Sequence, residues 1–264
     1  MLSQSESMAP EQSPAEPIVL NEHVRIQPIE SGVFLVVHDF AGACNSLIVQ
    51  CSPRDFVWVD TPCTDDATRQ VHQWLLRTFT DPNIIQINTG FHNDNLGGNG
   101  YLLAQGIPCH GSDLTPRLIA ERWEQTRQMV LPYYAQAGDK VREAFLDQTL
   151  VAPNKLYPLA QGLTLRIGAE SVEVFFPGAS HTADNVVVYF RNKRILFGGC
   201  MVKALAARTP GFAGDADMAA WPVSVQKVLD RFPNARLVVP GHGTPGDLAL
   251  LPHTIQLCRR YNQR

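Results

Sequence analysis

The sequence is short of charge, of basic runs and of long apolar stretches, and each shortage removes a class of function. Charged residues make up 18% of the 264-residue chain, with 22 basic against 25 acidic side chains and a net charge of −3. No basic block interrupts that balance, so no nucleic-acid partner is expected. No apolar run approaches the roughly 20 residues that a membrane-crossing helix needs, so no membrane span is expected. The six cysteines, at positions 44, 51, 63, 109, 200 and 258, show no C-x-x-C spacing. That argues against a zinc finger or a dense disulfide framework. Spacing alone leaves individual disulfides open, because it carries no distances. A charged segment followed by an apolar one is also missing at the start, so no export signal is visible. A cytoplasmic protein and a processed one would both read this way.

What is present is ample material for a core, with 45% hydrophobic residues. Met1–Pro17, rich in Ser, Gln, Glu and Pro, is expected to be a disordered lead, with a single domain over 18–264. Short strands are predicted at Val24–Pro28, Val33–His38, Ser46–Gln50 and Phe56–Asp60, separated by turn signals. A helix follows over Thr64–Thr80, with Thr64 or Asp65 as its N-cap. Thr115–Leu146 is the longest helical candidate and should break at Pro132. Four further strands, a helix over Ala216–Arg231, the strand Leu237–Val239 and a terminal helix Asp247–Tyr261 complete the chain. Strands then helices, twice over, predict an α/β architecture of two sheets packed face to face with helices outside.

The chemistry concentrates in Gln86–Gly98, QINTGFHNDNLGG. A buried-strand pattern ends there in a polar loop that carries His92 and Asp94 one residue apart, then closes on Gly97-Gly98. An imidazole and a carboxylate on a strand-end loop can be aimed at one divalent metal ion. Three more apolar strands end in the same way. One leads through Gly178 to His181, another through Gly198-Gly199 to Cys200, and the third through Gly241 to His242. Each of these residues has an ordinary structural reading, but four convergent loops predict a metal site.

From about Val24 to Tyr261 the chain resembles the metallo-β-lactamases. The carrying pieces are Asn88–Asp94 with the glycine pair, His181-Thr-Ala-Asp-Asn185, Ile195–Lys203, Gly214–Asp217 and Val239-Pro-Gly-His242-Gly. The resemblance implies a four-layer αβ/βα sandwich. Related branches such as glyoxalase II and RNA-processing nucleases carry H-x-H-x-D-H and no cysteine ligand, so Cys200 with Lys203 points to the β-lactamases. One metal pocket is then Asp94, Cys200 and His242, a tetrahedral zinc set with one open position. The other takes three histidines in the family; here His92 and His181 match, while the first motif position is Gly90. One tightly bound Zn2+ is therefore expected, with a weak second one in space left beside Gly90. The mononuclear subclass also lacks that first histidine. It shares the short Asp39–Asn45 connection and the enlarged Thr115–Leu146 region, but this chain departs from it at Asn95 and Gly199.

The implied activity is hydrolysis of the β-lactam amide bond, favouring carbapenems. Zinc would stabilise the departing nitrogen, His92 or Asp94 would take a proton from the attacking water, and His181 would polarise the carbonyl. Lys203 would pair with the substrate carboxylate, and Phe212 stands where dinuclear enzymes commonly have an asparagine for substrate. Asn185 is a further candidate for substrate contact; the alternative is that it braces the His181 loop with Asp184. The rival functions are another zinc-dependent ester or amide hydrolase, and a zinc-binding homologue without catalysis. A β-lactamase is expected in the periplasm, by resemblance only. Oligomeric state has no signal in the sequence.

Overall fold

A computed structural model describes residues 16–263, so most of the expected N-terminal lead lies outside the described residues. The first half runs β1 (Ile18–Val19), β2 (Val24–Glu30), β3 (Val33–Asp39), β4 (Ala43–Gln50), β5 (Asp55–Val59), α1 (Asp65–Thr78), β6 (Asn83–Ile87), α2 (Asn93–Leu96), α3 (Asn99–Ala104), β7 (Cys109–Ser112), α4 (Thr115–Gln136), α5 (Asp139–Leu146) and β8 (Lys155–Tyr157). The second half runs β9 (Leu163–Ile167), β10 (Glu170–Phe175), β11 (Val187–Phe190), β12 (Ile195–Gly199), α6 (Trp221–Arg231), β13 (Leu237–Pro240) and α7 (Leu250–Tyr261). Strands β1 to β8 form one sheet in sequence order, and the second sheet is ordered β13-β12-β11-β10-β9.

Strand alternation explains the layers. Val33, Leu35, Val37, Leu47, Val49, Val57 and Val59 point into a core shared with Val172, Val174, Val188, Phe190 and Phe197 of the other sheet. Their neighbours Val36, Ile48, Phe56 and Trp58 point the opposite way, onto Ala67, Val71, Trp74 and Leu75 of α1. On the far sheet, Val187, Tyr189, Leu196 and Val238 face Trp221, Val225 and Val228 of α6 and Leu251 and Ile255 of α7. A strand buried on both faces reads as a continuous apolar run, which is what β5, β11 and β12 show, and β4 over Leu47–Val49. The result is helix, sheet, sheet, helix, the expected αβ/βα sandwich.

Thr64 caps α1 as expected, its side chain accepting from the Ala67 N–H at 3.2 Å. Three helix boundaries differ from expectation. Pro132 does not end α4, which runs on to Gln136; the break falls at Gly138, whose φ of 112° side chains other than hydrogen disfavour. Leu131 and Tyr134 pack beside Trp123 and Phe145, and that packing holds the helix through the proline. α6 begins at Trp221 instead of Ala216, because the Asp217 carboxylate accepts from the N–H groups of Ala219 and Ala220 and makes a turn there. The terminal helix likewise starts late, at Leu250, after a turn in which Asp247 accepts from Ala249 N–H.

His38, buried on β3, accepts the Cys63 N–H at Nδ1, and burial, against the charges of Asp39 and Asp66, holds its pKa down to about 4. A folded value below the unfolded one of about 6.5 contributes stability that is full above that pH and is lost as pH falls toward 4. Urea midpoints from pH 7.5 to 4.5 should show a loss of up to about 3 kcal/mol through this group. The His38→Asn variant should flatten that slope, and an unchanged slope would contradict the assignment.

Candidate metal centre

The loop after β6 is mounted on a buried carboxylate. Asp60, at the end of β5 with a left-handed φ of 54°, accepts from Thr89 N–H and Thr89 Oγ1 at 2.7 Å each and from Asn95 Nδ2 at 2.9 Å. Burial pushes the Asp60 carboxyl well up, and these hydrogen bonds oppose the rise. His92 then stands at the N-cap of α2, so Asp94 lies in the first turn of a short helix. Asn88 completes the mount by donating to the Asn95 carbonyl at 2.8 Å.

Three ligand-grade side chains converge above this loop. Asp94 Oδ2 lies 3.1 Å from Cys200 Sγ and 3.1 Å from His242 Nε2, and those two are 3.6 Å apart. Tetrahedral zinc with bonds of about 2.0 Å to N or O and about 2.3 Å to S separates its ligands by roughly 3.3–3.5 Å. The residues present therefore fit the ion. The His242 Nδ1–H donates to the Ala43 carbonyl at 2.9 Å, which leaves the Nε2 lone pair for a metal. Burial, then the negative Asp94 beside it, pushes the Cys200 thiol well up in the protein alone; a bound divalent cation reverses that preference. For Asp94, burial alone would raise the carboxyl, but the His242 hydrogen bond and charge, with His92, hold it well below the usual range.

The backbone around the ligands is crowded. Gly241 N–H donates to Gly199 O at 2.7 Å, and a side chain on Gly241 would place Cβ 2.6 Å from Cys200 N and 2.8 Å from Cys200 Sγ. Gly199 adopts φ 53° beside Thr89, which accounts for a glycine before the cysteine.

The second pocket is built differently from expectation. His92 and His181 meet edge to face, with ring centroids 5.0 Å apart. The region beside Gly90 is occupied: a Cβ there would lie 2.7 Å from Asn185 Nδ2 and 3.1 Å from Asn95 Oδ1. Any side chain at position 90 would therefore press against these two amides. Asn185 itself is 1% exposed, accepting from Thr182 N–H and Ser180 Oγ and donating to the Thr89 carbonyl. Its amide braces two loops, and Asn185 is not among the residues that line the cleft. His92 Nε2 is held 3.0 Å from the Asp215 carboxylate, itself held by Thr126 Oγ1 at 2.6 Å and Arg122 at 2.8 Å. That leaves His92 Nδ1 as the ring atom without a hydrogen bond among the described residues. His181 is buried and neutral, burial and then Lys203 lowering its pKa, and its Nδ1 has no hydrogen bond among the described residues.

Both pockets open into one cleft of about 300 Å³. His92, Asp94, His181 and His242 line it, Trp123, Val130, Tyr133 and Tyr134 of α4 overhang it, and Phe212 packs over His92 and His181 at 5.8 and 6.3 Å. Lys203 also lines the cleft, 8% exposed, with Nζ 5.2 Å above the Trp221 ring.

The pattern of the metallo-beta-lactamase superfamily matches residues 40–242. The chain belongs to that superfamily. A metallo-beta-lactamase type 2 from Bacillus cereus is 32% identical over 215 residues, covering 81% of this chain and 73% of that protein. The type 2 enzyme of Bacteroides fragilis is 31% identical over 203 residues, 77% of this chain and 70% of that protein. Among solved structures, a metallo-beta-lactamase from Pontibacter korlensis superposes with a TM-score of 0.73 at 32% identity, covering 89% of this chain and 99% of that one. The DIM-1 metallo-beta-lactamase gives 0.73 at 28% identity over 90% and 98%. Members of this superfamily are metal-dependent, typically on zinc.

For this superfamily member, the structure lines one cleft with His92, Asp94, His181, Lys203 and His242, sets Cys200 against Asp94 and His242, and leaves Asn185 out of the lining. Reading from the sequence assigned no site role to Asp60, Thr126 or Arg122, and met Asp215 within the Gly214–Asp217 piece of the resemblance. A buried carboxylate at a strand end was the one available signal for Asp60. Gly241→Ala should lower the melting temperature, at a cost of about 1–3 kcal/mol from overpacking, and weaken zinc binding at least tenfold. Thermal unfolding and a competitive zinc titration measure both, and unchanged zinc affinity would contradict the role given to that close approach.

Proposed function

We propose that this chain is a zinc-dependent β-lactamase that works with one tightly held zinc and favours carbapenems. The observation that carries the reading is the complete carboxylate–thiolate–imidazole set of Asp94, Cys200 and His242, beside a second pocket of two histidines only. When bound there, zinc supplies Lewis-acid stabilisation of the negative charge that develops as the amide C–N bond breaks. The protein's own groups do the rest. Lys203 pairs with the carboxylate that β-lactams carry, a charge-assisted contact at the end of the cleft. His92, fixed through Nε2 by Asp215, offers Nδ1 to take the proton from an attacking water, with Asp94 as the alternative acceptor. His181, neutral and buried, orients the carbonyl. Phe212 and the aromatic residues of α4 exclude bulk water from the reacting atoms.

A second zinc at His92 and His181 binds weakly on this account, because the first motif position is Gly90, without a side chain to donate, and His92 Nε2 is already engaged by Asp215. Kinship with named β-lactamases supports action in the periplasm, where β-lactams meet their targets. No helix among the described residues is long and apolar enough to cross a membrane.

The test is hydrolysis of a carbapenem and a cephalosporin across a zinc titration from chelated protein. Carbapenem turnover should peak near one zinc per chain, and Lys203→Ala should raise KM at least tenfold with a smaller effect on kcat. Turnover only in excess zinc would put the second pocket into the reaction. No turnover of either compound by zinc-loaded protein would favour a different hydrolase or a homologue without catalysis.

A further inference from the structure

Cys44 and Cys63 take no part in the reaction described, yet their sulfurs lie 3.2 Å apart in the wall of the cleft. Cys44 is 2% exposed at the start of β4, and Cys63 is 3% exposed in the segment before α1. The other thiols have different neighbours: Cys51 and Cys109 donate to the Val49 and Ile107 carbonyls, and Cys200 faces Asp94 and His242. We propose that Cys44 and Cys63 are a disulfide-forming pair, oxidised by exchange with a low-molecular-weight disulfide that enters through the cleft.

The geometry favours a disulfide over a metal site. His38 completes a cluster with the two thiols, all three buried, and such a group could hold a soft metal ion. Its Nδ1, however, already accepts the Cys63 N–H at 3.0 Å, which places the ring proton on Nε2 and leaves no lone pair for a metal. The Cys44 thiol also points at the His38 carbonyl, at 3.5 Å. Two sulfurs alone make a poor site for a divalent ion. Closing 3.2 Å to a bond of about 2.05 Å asks for little more than about 1 Å of movement.

The chemistry balances as two exchanges. One cysteine sulfur attacks the reagent disulfide RSSR, forming a mixed disulfide and releasing one RSH. The second cysteine attacks the protein sulfur of that mixed disulfide and releases the other RSH. The two thiol protons leave with the two RSH molecules; the pair is oxidised by two electrons and RSSR is reduced by two. No charge is added to a buried place.

The bond would close a loop of about 20 residues carrying β4 and β5. Cys44 lies between Ala43, whose carbonyl holds His242, and Asn45, which brackets Pro240 and Gly243. Cys63 receives a hydrogen bond at its carbonyl from Gln148, at the end of the α4–α5 roof. Oxidation therefore cross-links the mount of one zinc ligand to the segment beneath the roof. A loop of that size should raise the melting temperature by roughly 6–12 °C.

The test uses the zinc-loaded full chain incubated with oxidised glutathione or with dithiothreitol, then denatured, alkylated and peptide-mapped. Six free thiols in the reduced protein should become four, with a Cys44–Cys63 cross-linked peptide and the stated rise in melting temperature, reversed by dithiothreitol. Cys51→Ser should keep the cross-link, whereas Cys44→Ser and Cys63→Ser should abolish both it and the rise. If either of the latter fails to fold, the map of the unsubstituted chain decides alone. Six remaining thiols, lasting glutathione adducts without the cross-link, or a cross-link to Cys200 would overturn the proposal. So would a second zinc per reduced chain that is lost in Cys44→Ser.

Discussion

Asn45 joins the two sheets at the point where the metal ligands meet. Its backbone N–H donates to Gly241 O at 2.8 Å, and its side-chain amide donates to Pro240 O and Gly243 O at 2.9 and 2.8 Å. Ala43, two residues earlier on β4, accepts the His242 ring N–H. Together with the Gly241–Gly199 hydrogen bond, these contacts set the loop after β13 against both the loop after β12 and the first sheet. The three ligands come from three such loops, on two sheets, so their spacing of 3.1–3.6 Å is a property of the sandwich and not of any one segment. These hydrogen bonds satisfy buried backbone groups of Asn45, Pro240, Gly241 and Gly199 while tying the loops together.

The asymmetry of the two pockets follows from side-chain volume. On the side of Asp94, glycines at 199 and 241 let backbone and sulfur approach closely, and every ligand position carries a donor. On the side of His92, Gly90 offers no donor, and the Asn185 and Asn95 amides lie beside it, bonded to the surrounding loops. What stands there is an anchored imidazole: Thr126 and Arg122 hold Asp215, Asp215 holds His92 Nε2, and His92 Nδ1 has no partner among the described residues. Burial would raise Asp215, yet His92, Thr126 and Arg122 hold its carboxyl well below the usual range, so it stays ionised as an anchor.

The αβ/βα layering was legible because strands buried on both faces carry continuous apolar runs and the helices between them carry apolar stripes. His92, Asp94, His181, Cys200 and His242 were legible because each is a ligand-type residue placed just past a strand, most with glycine before it. Asp60, Arg122 and Thr126 were not, since their partners are 29 to 93 residues away and no spacing marks them. Asn185 was ambiguous for the same reason: an amide two loops from the cleft and one inside it look alike in sequence. Pro132 misled where packing outweighed a lost backbone hydrogen bond, and the starts of α6 and α7 were misplaced because Asp217 and Asp247 close turns and do not cap the helices directly.

The central claim is that Asp94, Cys200 and His242 form the one complete metal site. Substituting cobalt(II) for zinc tests it most directly, because a cobalt–thiolate bond gives a charge-transfer absorption in the near ultraviolet. That band should saturate at one cobalt per chain, vanish in Cys200→Ser, and persist in His92→Ala and His181→Ala. A band that survives Cys200→Ser, or one lost with His92 or His181, would contradict the account.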